Sequence, residues 1–358
     1  MKEFIKINPK DNVLIALRDY KKGEHIFLEN IDLELKEDIS RGHKIALCSI
    51  KYGMPIRHAL SDIQTGEWVH VHNTKTNLKD LDTYSYSPNL IERNLNLPDK
   101  EVNIYKRKNG NIGIRNELWI VPTVGCVNGI AQRIMDEFLH EVGELKIDGV
   151  NVLTHNYGCS QLGEDHINTR TILQNVVKHP NAGGVLVLGL GCENNQVSDF
   201  KKTMGNYDEE RIKFLICQDV EDEIEEGKKI LLGLYEIMKN DKREKESISC
   251  INFGLECGGS DGLSGITANP MLGEFSDYVI SHGGTSVLTE VPEMFGAETL
   301  LMERCKDKKT FEKCVSLIND FKEYFIKHDQ EIYENPSPGN KKVSVNLNLC
   351  ELLLTFKV

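Results

Sequence analysis

Gly183-Gly184-Val185-Leu186-Val187-Leu188-Gly189-Leu190-Gly191-Cys192-Glu193-Asn194-Asn195-Gln196 is the stretch whose reading decides the fold. The apolar run from Gly184 to Leu190 is short and aliphatic, as a buried strand is, and it ends in glycine, cysteine and four polar residues, as a loop does. The order strand, glycine, cysteine recurs on both sides of it. Leu118–Val124 runs into Gly125-Cys126-Val127-Asn128-Gly129, and Val150–Thr154 into His155-Asn156-Tyr157-Gly158-Cys159-Ser160. Ile248–Phe253 is followed by Gly254 and then Leu255-Glu256-Cys257-Gly258-Gly259-Ser260-Asp261-Gly262.

Lys213–Cys217 and Thr285–Thr289 are further strand-like runs, and Ile130–His140, Asn168–Lys178, Asp219–Lys239 and Pro270–His282 carry helical spacing between them. Such alternation predicts an α/β domain with a mostly parallel, doubly wound sheet, in which ligands bind outside the carboxyl ends of the strands. Parallel strands would place all four loops on one edge, so Cys126, Cys159, Cys192 and Cys257 are expected to converge there. Soft thiolates select iron, iron–sulfur clusters or zinc, and His155 and Glu193 could add nitrogen and oxygen donors. No CxxC pair is present, and a structural zinc finger fits poorly.

The last of these loops has a second use. Its glycines let backbone N–H groups approach an anion, and the helix start after Pro270 adds partial positive charge. Gly258, Gly259, Ser260, Asp261 and Thr267 are therefore candidate substrate contacts. Arg115, just before a strand, is a candidate clamp for a carboxylate. Glu290, after the Thr285–Thr289 strand, is placed to act as a base or to support a metal ligand.

Residues 1–76 read differently, as a small β-rich domain. Val13–Leu17, Lys44–Ser49 and Trp68–His72 look like strands, and the turns Lys21-Lys22-Gly23-Glu24 and Gln64-Thr65-Gly66-Glu67 suggest a pseudo-repeat. His70 and His72, two apart on a strand, would share a face, as two imidazole ligands, one ligand beside a proton carrier, or a polar outer face. Residues 77–103, polar at first and without sustained periodicity, read as a linker, and 104–340 as the α/β domain. Lys306–His328 reads as a charged surface helix, and 341–358 as an aberrant or truncated tail.

The bulk numbers limit the partners. A net charge of -12 and a pI near 5.5, with no long basic run, disfavour nucleic acid and anionic membranes. No segment has the form of a secretory signal or reaches membrane-spanning length, so a cytoplasmic protein with reduced thiols is expected from ten scattered cysteines. A dinucleotide oxidoreductase is disfavoured, since no G-x-G-x-x-G opens the first helix.

These passages resemble the altronate/galactarate dehydratases. The matching segments include Asn8–Val13, Gly42–Leu47, Tyr52–Ile56, Gly66–Asn73, Gly113–Asn116, Gly189–Gln196, Cys257–Gly262 and Asn335–Asn340. The resemblance implies an N-terminal SAF domain of β-clip type. It implies dehydration of a sugar acid, D-altronate foremost, to a 2-keto-3-deoxy acid. It also implies a divalent metal, ferrous iron foremost, with manganese or an iron–sulfur cluster as alternatives. The roles then expected are Cys126, Cys159, Cys192, Cys257 and His70 on the metal, His72, His155 and Glu290 in proton transfer, and Asn116 beside Arg115 on the substrate. A homo-oligomer is compatible with this reading. The chain departs from the family in Ile114, where a small Thr is expected, and in residues 341–358, where relatives continue into a Gly-rich part. Two rival expectations follow: a shortened sugar-acid binder without turnover, and a lyase acting on another 2-hydroxy acid such as sulfolactate.

Overall fold

The computed structural model describes residues 3–6, 11–28, 31–47, 57–59, 62–70, 72–76, 81–90, 95, 97–256, 263–296 and 298–332. The chain divides into two compact units, one formed by Lys100–Cys250 and the other by Met1–Asp99 with Ile251–Val358. The expected linker, the Gly258–Gly262 loop and the tail lie partly or wholly outside the described residues.

In the second unit the first strands are β1 (Phe4–Ile5), β2 (Val13–Ala16), β3 (His25–Leu28), β4 (Ile31–Glu34), β5 (Lys44–Ala46), β6 (Arg57–Ala59), β7 (Trp68–Val69) and β8 (Thr74–Thr76). β1-β2-β5-β7 form an antiparallel sheet, with β3-β4 and β6-β8 as separate pairs. Leu14, Tyr20, Ile26, Leu35, Ile39 and Ile45 form the buried core of this β-rich part. The two expected turns are alike in detail. Gly23 and Gly66 both take positive φ, and the N–H groups of Lys21 and Gln64 each donate to the carboxylate three residues on, Glu24 and Glu67. The strand expected at Trp68–His72 stops at Val69. His70 begins a turn whose carbonyl accepts from the N–H groups of Asn73 and Thr74.

The Lys100–Cys250 unit contains β9 (Glu101–Lys106), β10 (Ile112–Gly113), β11 (Glu117–Pro122), α1 (Asn128–Val142), β12 (Gly149–Val152), α2 (Gly163–Val177), β13 (Ala182–Gly189), α3 (Val197–Thr203), β14 (Ile212–Ile216), α4 (Glu223–Met238) and β15 (Glu244–Ser247). Its main sheet has the order β12-β11-β13-β14 and is parallel throughout. Alternate residues face opposite layers, as the pleat requires. Leu118, Ile120, Leu186 and Leu188 pack with Ile134 and Phe138 of α1 and Leu231 and Leu234 of α4. Val121, Val185 and Val187 pack instead with Leu173 and Val177 of α2 and Phe200 of α3. Helices on both faces make this a doubly wound sheet. The chain leaves β11 outward to β12 and then returns to β13 on its other side, so the switch point falls between β11 and β13.

β16 (Asn252–Leu255), α5 (Ala268–Ser281), β17 (Thr285–Leu288), α6 (Thr299–Met302) and α7 (Lys308–Lys327) follow among the described residues. β16 and β17 pair in parallel with each other, in register Leu255↔Leu288. The six strand runs expected in one sheet thus belong to two sheets, in different units. The reason is physical: local periodicity marks a strand, while pairing is decided by distant residues.

The expected surface helix, α7, buries one face through Phe311, Ile318 and Lys322. Lys322 is fully buried, with its ammonium 2.6 Å from Asp82 and 3.0 Å from Glu298. Tyr84 OH donates to Glu298, and Tyr86 packs on Phe311 and donates to the Cys305 carbonyl. Asp82, Tyr84 and Tyr86, within the segment read as a linker, are thus held against α7 and the end of α6.

Candidate active site

Three of the four cysteine loops leave neighbouring strands of one parallel sheet at its carboxyl edge. Cys159 follows β12, Cys126 follows β11 and Cys192 follows β13, and all three side chains are exposed. The fourth, Cys257, lies outside the described residues, as do Gly258, Gly259, Ser260 and Asp261.

Hydrogen bonds tie the three loops into one rim. Gly125 N–H donates to the Tyr157 carbonyl at 2.9 Å, and Asn195 N–H to the Gly158 carbonyl at 3.3 Å. Across the switch point, Thr123 Oγ1 donates to Glu193 Oε1 at 2.7 Å. The contact is so close that side chains are excluded at the junction. A Cβ on Gly125 would stand 2.6 Å from the His155 carbonyl oxygen, and one on Gly158, which has φ +97°, 2.2 Å from the Thr123 carbonyl oxygen. Ser160, beside Cys159, has φ 55°, unusual for a residue with a side chain. The glycine before each thiol therefore has a steric cause at these two positions.

The polar residues of the rim are engaged in bracing it. Glu193, 2% exposed, accepts from Thr123 and from the N–H groups of Leu190 and Gly191. His155 Nε2 donates to the Pro122 carbonyl at 2.8 Å, and its Nδ1 accepts from Tyr157 N–H at 3.1 Å. That pair of bonds fixes the tautomer and occupies both nitrogens, so the expected proton carrier is a brace between two loops. Two acceptors remain. Asn128 and Asn195 donate through Nδ2 to the carbonyls of His155 and Thr123, which fixes how each amide is turned. Their Oδ1 atoms are then buried with no hydrogen-bond partner among the described residues. A buried acceptor of this kind calls for a donor, such as a water or a ligand hydroxyl. Sequence reasoning passed over both, although Asn128 and Asn195 stand two and three residues after a rim cysteine.

Arg115 and Asn116 are elsewhere. They precede β11 and so stand at the amino edge, about 20 Å from the thiols along a six-residue strand. Arg115 pairs with Glu117 and donates to the Asp148 carbonyl. Asn116 is buried, donating to the Met238 carbonyl and accepting from Arg107. Neither joins the thiol rim; both bind the sheet to its flanking segments. A cavity of about 490 Å³ lies at this same edge, lined in part by Arg107, Lys178, His179, Tyr207 and Arg211. Its guanidiniums are already committed, Arg211 in a bidentate pair with Asp241, so the thiol rim remains the stronger candidate.

In the other unit, His70 and His72 do share a side, though not by strand alternation. Their rings stack at 6.2 Å, with Trp68 4.5 Å from His70 and 5.4 Å from His72, and His43 5.7 Å from His70. His72 is exposed and His70 buried. Glu290 follows β17 and so stands at the edge where the chain also leaves its parallel partner β16. Thr289 Oγ1 holds the two strand ends together through the Leu255 carbonyl. Thr267, at the start of α5, turns its hydroxyl back to the Leu263 carbonyl. Among the described residues, no three His, Cys, Asp or Glu side chains gather closely enough to hold one metal ion. No described helix is long and apolar enough to cross a membrane.

A doubly wound sheet with a chemically equipped rim at its switch point is the framework of a small-molecule enzyme. Residues 2–77 match the altronate/galactarate dehydratase SAF domain, 104–239 the second domain of D-galactarate dehydratase/altronate hydrolase, and 248–346 the C-terminal part of D-galactarate/altronate dehydratase. The chain belongs to the altronate/galactarate dehydratase family and is a hydro-lyase of that kind. It is 60% identical to altronate dehydratase of Escherichia coli (strain K12), over 95% of this chain and 70% of that protein. It is 57% identical to altronate dehydratase of Bacillus subtilis (strain 168), with the same coverage. Galactarate dehydratase (L-threo-forming) of Escherichia coli is 29% identical over 95% of this chain and 69% of that protein.

Proposed function

We propose that the chain dehydrates D-altronate to a 2-keto-3-deoxy acid and depends on iron held at the thiol rim. The substrate choice rests on the gap between 60% identity to an altronate dehydratase and 29% to a galactarate dehydratase. The observation that carries the site is the rim itself: three exposed thiols on three interlocked loops at the switch point, with the other strong ligands nearby already hydrogen-bonded. Sulfur donors suit iron better than manganese, which takes oxygen ligands; the described residues bring no three donors onto one ion, and the fourth expected thiol, Cys257, lies outside them.

The reaction removes a proton alpha to a carboxylate and expels hydroxide from the next carbon. That proton is weakly acidic because the group already carries charge, and bound iron would supply Lewis-acid stabilisation of the charge that develops. The chain's own residues must do the rest. On the rim, the exposed thiols of Cys126, Cys159 and Cys192 are the residues that would hold the metal. Asn128 and Asn195 offer acceptors for substrate hydroxyls.

The test is an anaerobic keto-acid assay, with ferrous iron, on altronate, galactarate and sulfolactate. Turnover confined to altronate or strongest there is expected. A second reading, elimination from sulfolactate, has the support of 26% identity to the beta subunit of (2R)-sulfolactate sulfo-lyase of Chromohalobacter salexigens, over 69% of this chain. Faster sulfite release than keto-sugar formation would favour it. Binding of altronate without turnover would favour a binding protein over an enzyme.

A further inference from the structure

We propose that Arg170 and His166, on the inward face of α2, bind the carboxylate end of the sugar acid, Arg170 pairing with the carboxylate and His166 with the hydroxyl next to it. The inference rests on the reading of the chain as a sugar-acid lyase and names two of its substrate contacts.

Position is the first ground. α2 begins four residues after Cys159 and runs back along the sheet. Its first turn therefore stands at the carboxyl edge, while Val177 and Lys178, at its end, line the cavity of the amino edge. The lead-in to α2 is tied to the rim. Gln161 Oε1 accepts from Gly158 N–H at 2.8 Å, and the Gln161 carbonyl from Asn194 Nδ2 at 3.0 Å. His166, Arg170, Leu173, Gln174 and Val177 recur at helical spacing, and the last three are buried against the sheet and α3. Gln174 closes this stripe on the far side, donating to the Phe200 carbonyl and to Thr203 Oγ1. Arg170 stands one turn, about 6 Å, beyond His166. Side chains on a helix lean toward its N-terminus, which carries the guanidinium back toward the rim.

The want of a partner is the second ground. The half-buried arginines of the Lys100–Cys250 unit are Arg107, Arg170 and Arg211. Arg107 donates to the Pro180 and Arg115 carbonyls and to Asn116, and Arg211 holds Asp241. Arg170 makes no hydrogen bond or ion pair with the described residues, and Glu164 and Asp165 in the first turn of α2 stay exposed. A guanidinium drawn partly out of water without a partner costs free energy, and a bound carboxylate, which matches its forked donors, offsets that cost. His166 is in the same condition. Its Nδ1 is buried, and neither ring nitrogen is hydrogen-bonded to a described residue, whereas His155 on the preceding loop has both engaged.

The reaction gives the pair a use. The proton removed is alpha to the carboxylate, so negative charge grows there as it leaves, and a fixed cation stabilises that charge more than it does the bound acid. Loss of Arg170 should therefore lower kcat as well as raise KM.

The test uses the iron-loaded whole chain. The 3-deoxy analogue of altronate has no hydroxyl to lose and reports binding without turnover. Altritol, with an alcohol in place of the carboxylate, reports binding without the charge. By calorimetry the unaltered chain is expected to bind the acid about tenfold or more tightly than the polyol. Arg170→Ala should lose that preference and Arg170→Lys keep part of it, while His166→Ala weakens acid and polyol alike. In altronate turnover Arg170→Ala should lower kcat/KM about a hundredfold, and added guanidinium should restore part of it, as a merely structural loss would not allow. Thermal melts verify that the variants fold, and Arg133→Ala, at an exposed position of α1, should change none of these readouts. An undiminished preference for the acid in Arg170→Ala, or equal affinity of the unaltered chain for acid and polyol, would overturn the proposal. Altronate turnover unchanged in Arg170→Ala would refute the anchor and leave the hydro-lyase standing. Acid binding that depends on Arg170, in a chain that turns over no sugar acid, would support the anchor and refute the hydro-lyase reading.

Discussion

At the scale of single residues, burial separates the thiols by task. Cys217, at the end of β14, is buried, and loss of water around it pushes its pKa up from 9.0 to about 11. The folded state thus holds this proton more tightly than the unfolded chain does. Its contribution to stability is whole below pH 9 and is lost as pH rises toward 11. Replacing it, as Cys217→Ala, should flatten the alkaline fall in melting temperature over that window, which pH-dependent melts of both proteins would show. Lys322 offers a second test. Lys322→Met leaves Glu298 as a buried carboxylate without its ion pair and should cost about 3–5 kcal/mol in denaturant unfolding. Tyr84→Phe, which removes one hydrogen bond to the same carboxylate, should cost about 1–3 kcal/mol. Nothing in the local sequence pointed to this cluster. Charged residues at helical spacing look solvated, and Asp82 lies 240 positions from Lys322. The pair Asn128 and Asn195 was hidden for a related reason, since an amide's significance depends on whether its second atom finds a partner.

At the scale of elements, the strand–glycine–cysteine pattern was legible because two physical constraints act on it at once. Aliphatic residues fill both faces of a doubly covered sheet, and glycine is forced where two loops touch. Gly158→Ala would introduce both an unfavourable φ and a Cβ 2.2 Å from a carbonyl oxygen. It should destabilise the Lys100–Cys250 unit by more than the about 1 kcal/mol of an ordinary Gly→Ala strain and should weaken iron retention with it. Equilibrium unfolding and iron analysis of the variant check this. Leu186→Ala, in the core between β13 and the α1/α4 layer, should cost about 2–5 kcal/mol without altering the rim's chemistry. Other elements were misread where a short-range signal competed with the pattern. His70-Val71-His72-Asn73 continues a strand by alternation, but Asn73 Oδ1 accepts from His70 N–H and turns the chain back. Histidines expected to align by pleat align by a turn.

For the whole molecule, element types followed from periodicity, whereas the division of the parallel strands between two units did not. Strands β16 and β17 carry the same signature as β11 to β14, and the choice of partner lies in packing between residues far apart in the chain. The likeness to the altronate/galactarate dehydratases extends through 2–77, 104–239 and 248–346, and the chain spans 70% of the length of its altronate dehydratase relatives. The most direct test of the central claim is a thiol footprint: alkylation of the native chain, with and without bound iron, read residue by residue by mass spectrometry. The account predicts that Cys126, Cys159 and Cys192 are labelled in the iron-free protein and protected together when iron is bound, with Cys217 slow in both. Independent protection of one thiol, or labelling of all three unchanged by bound iron, would contradict it.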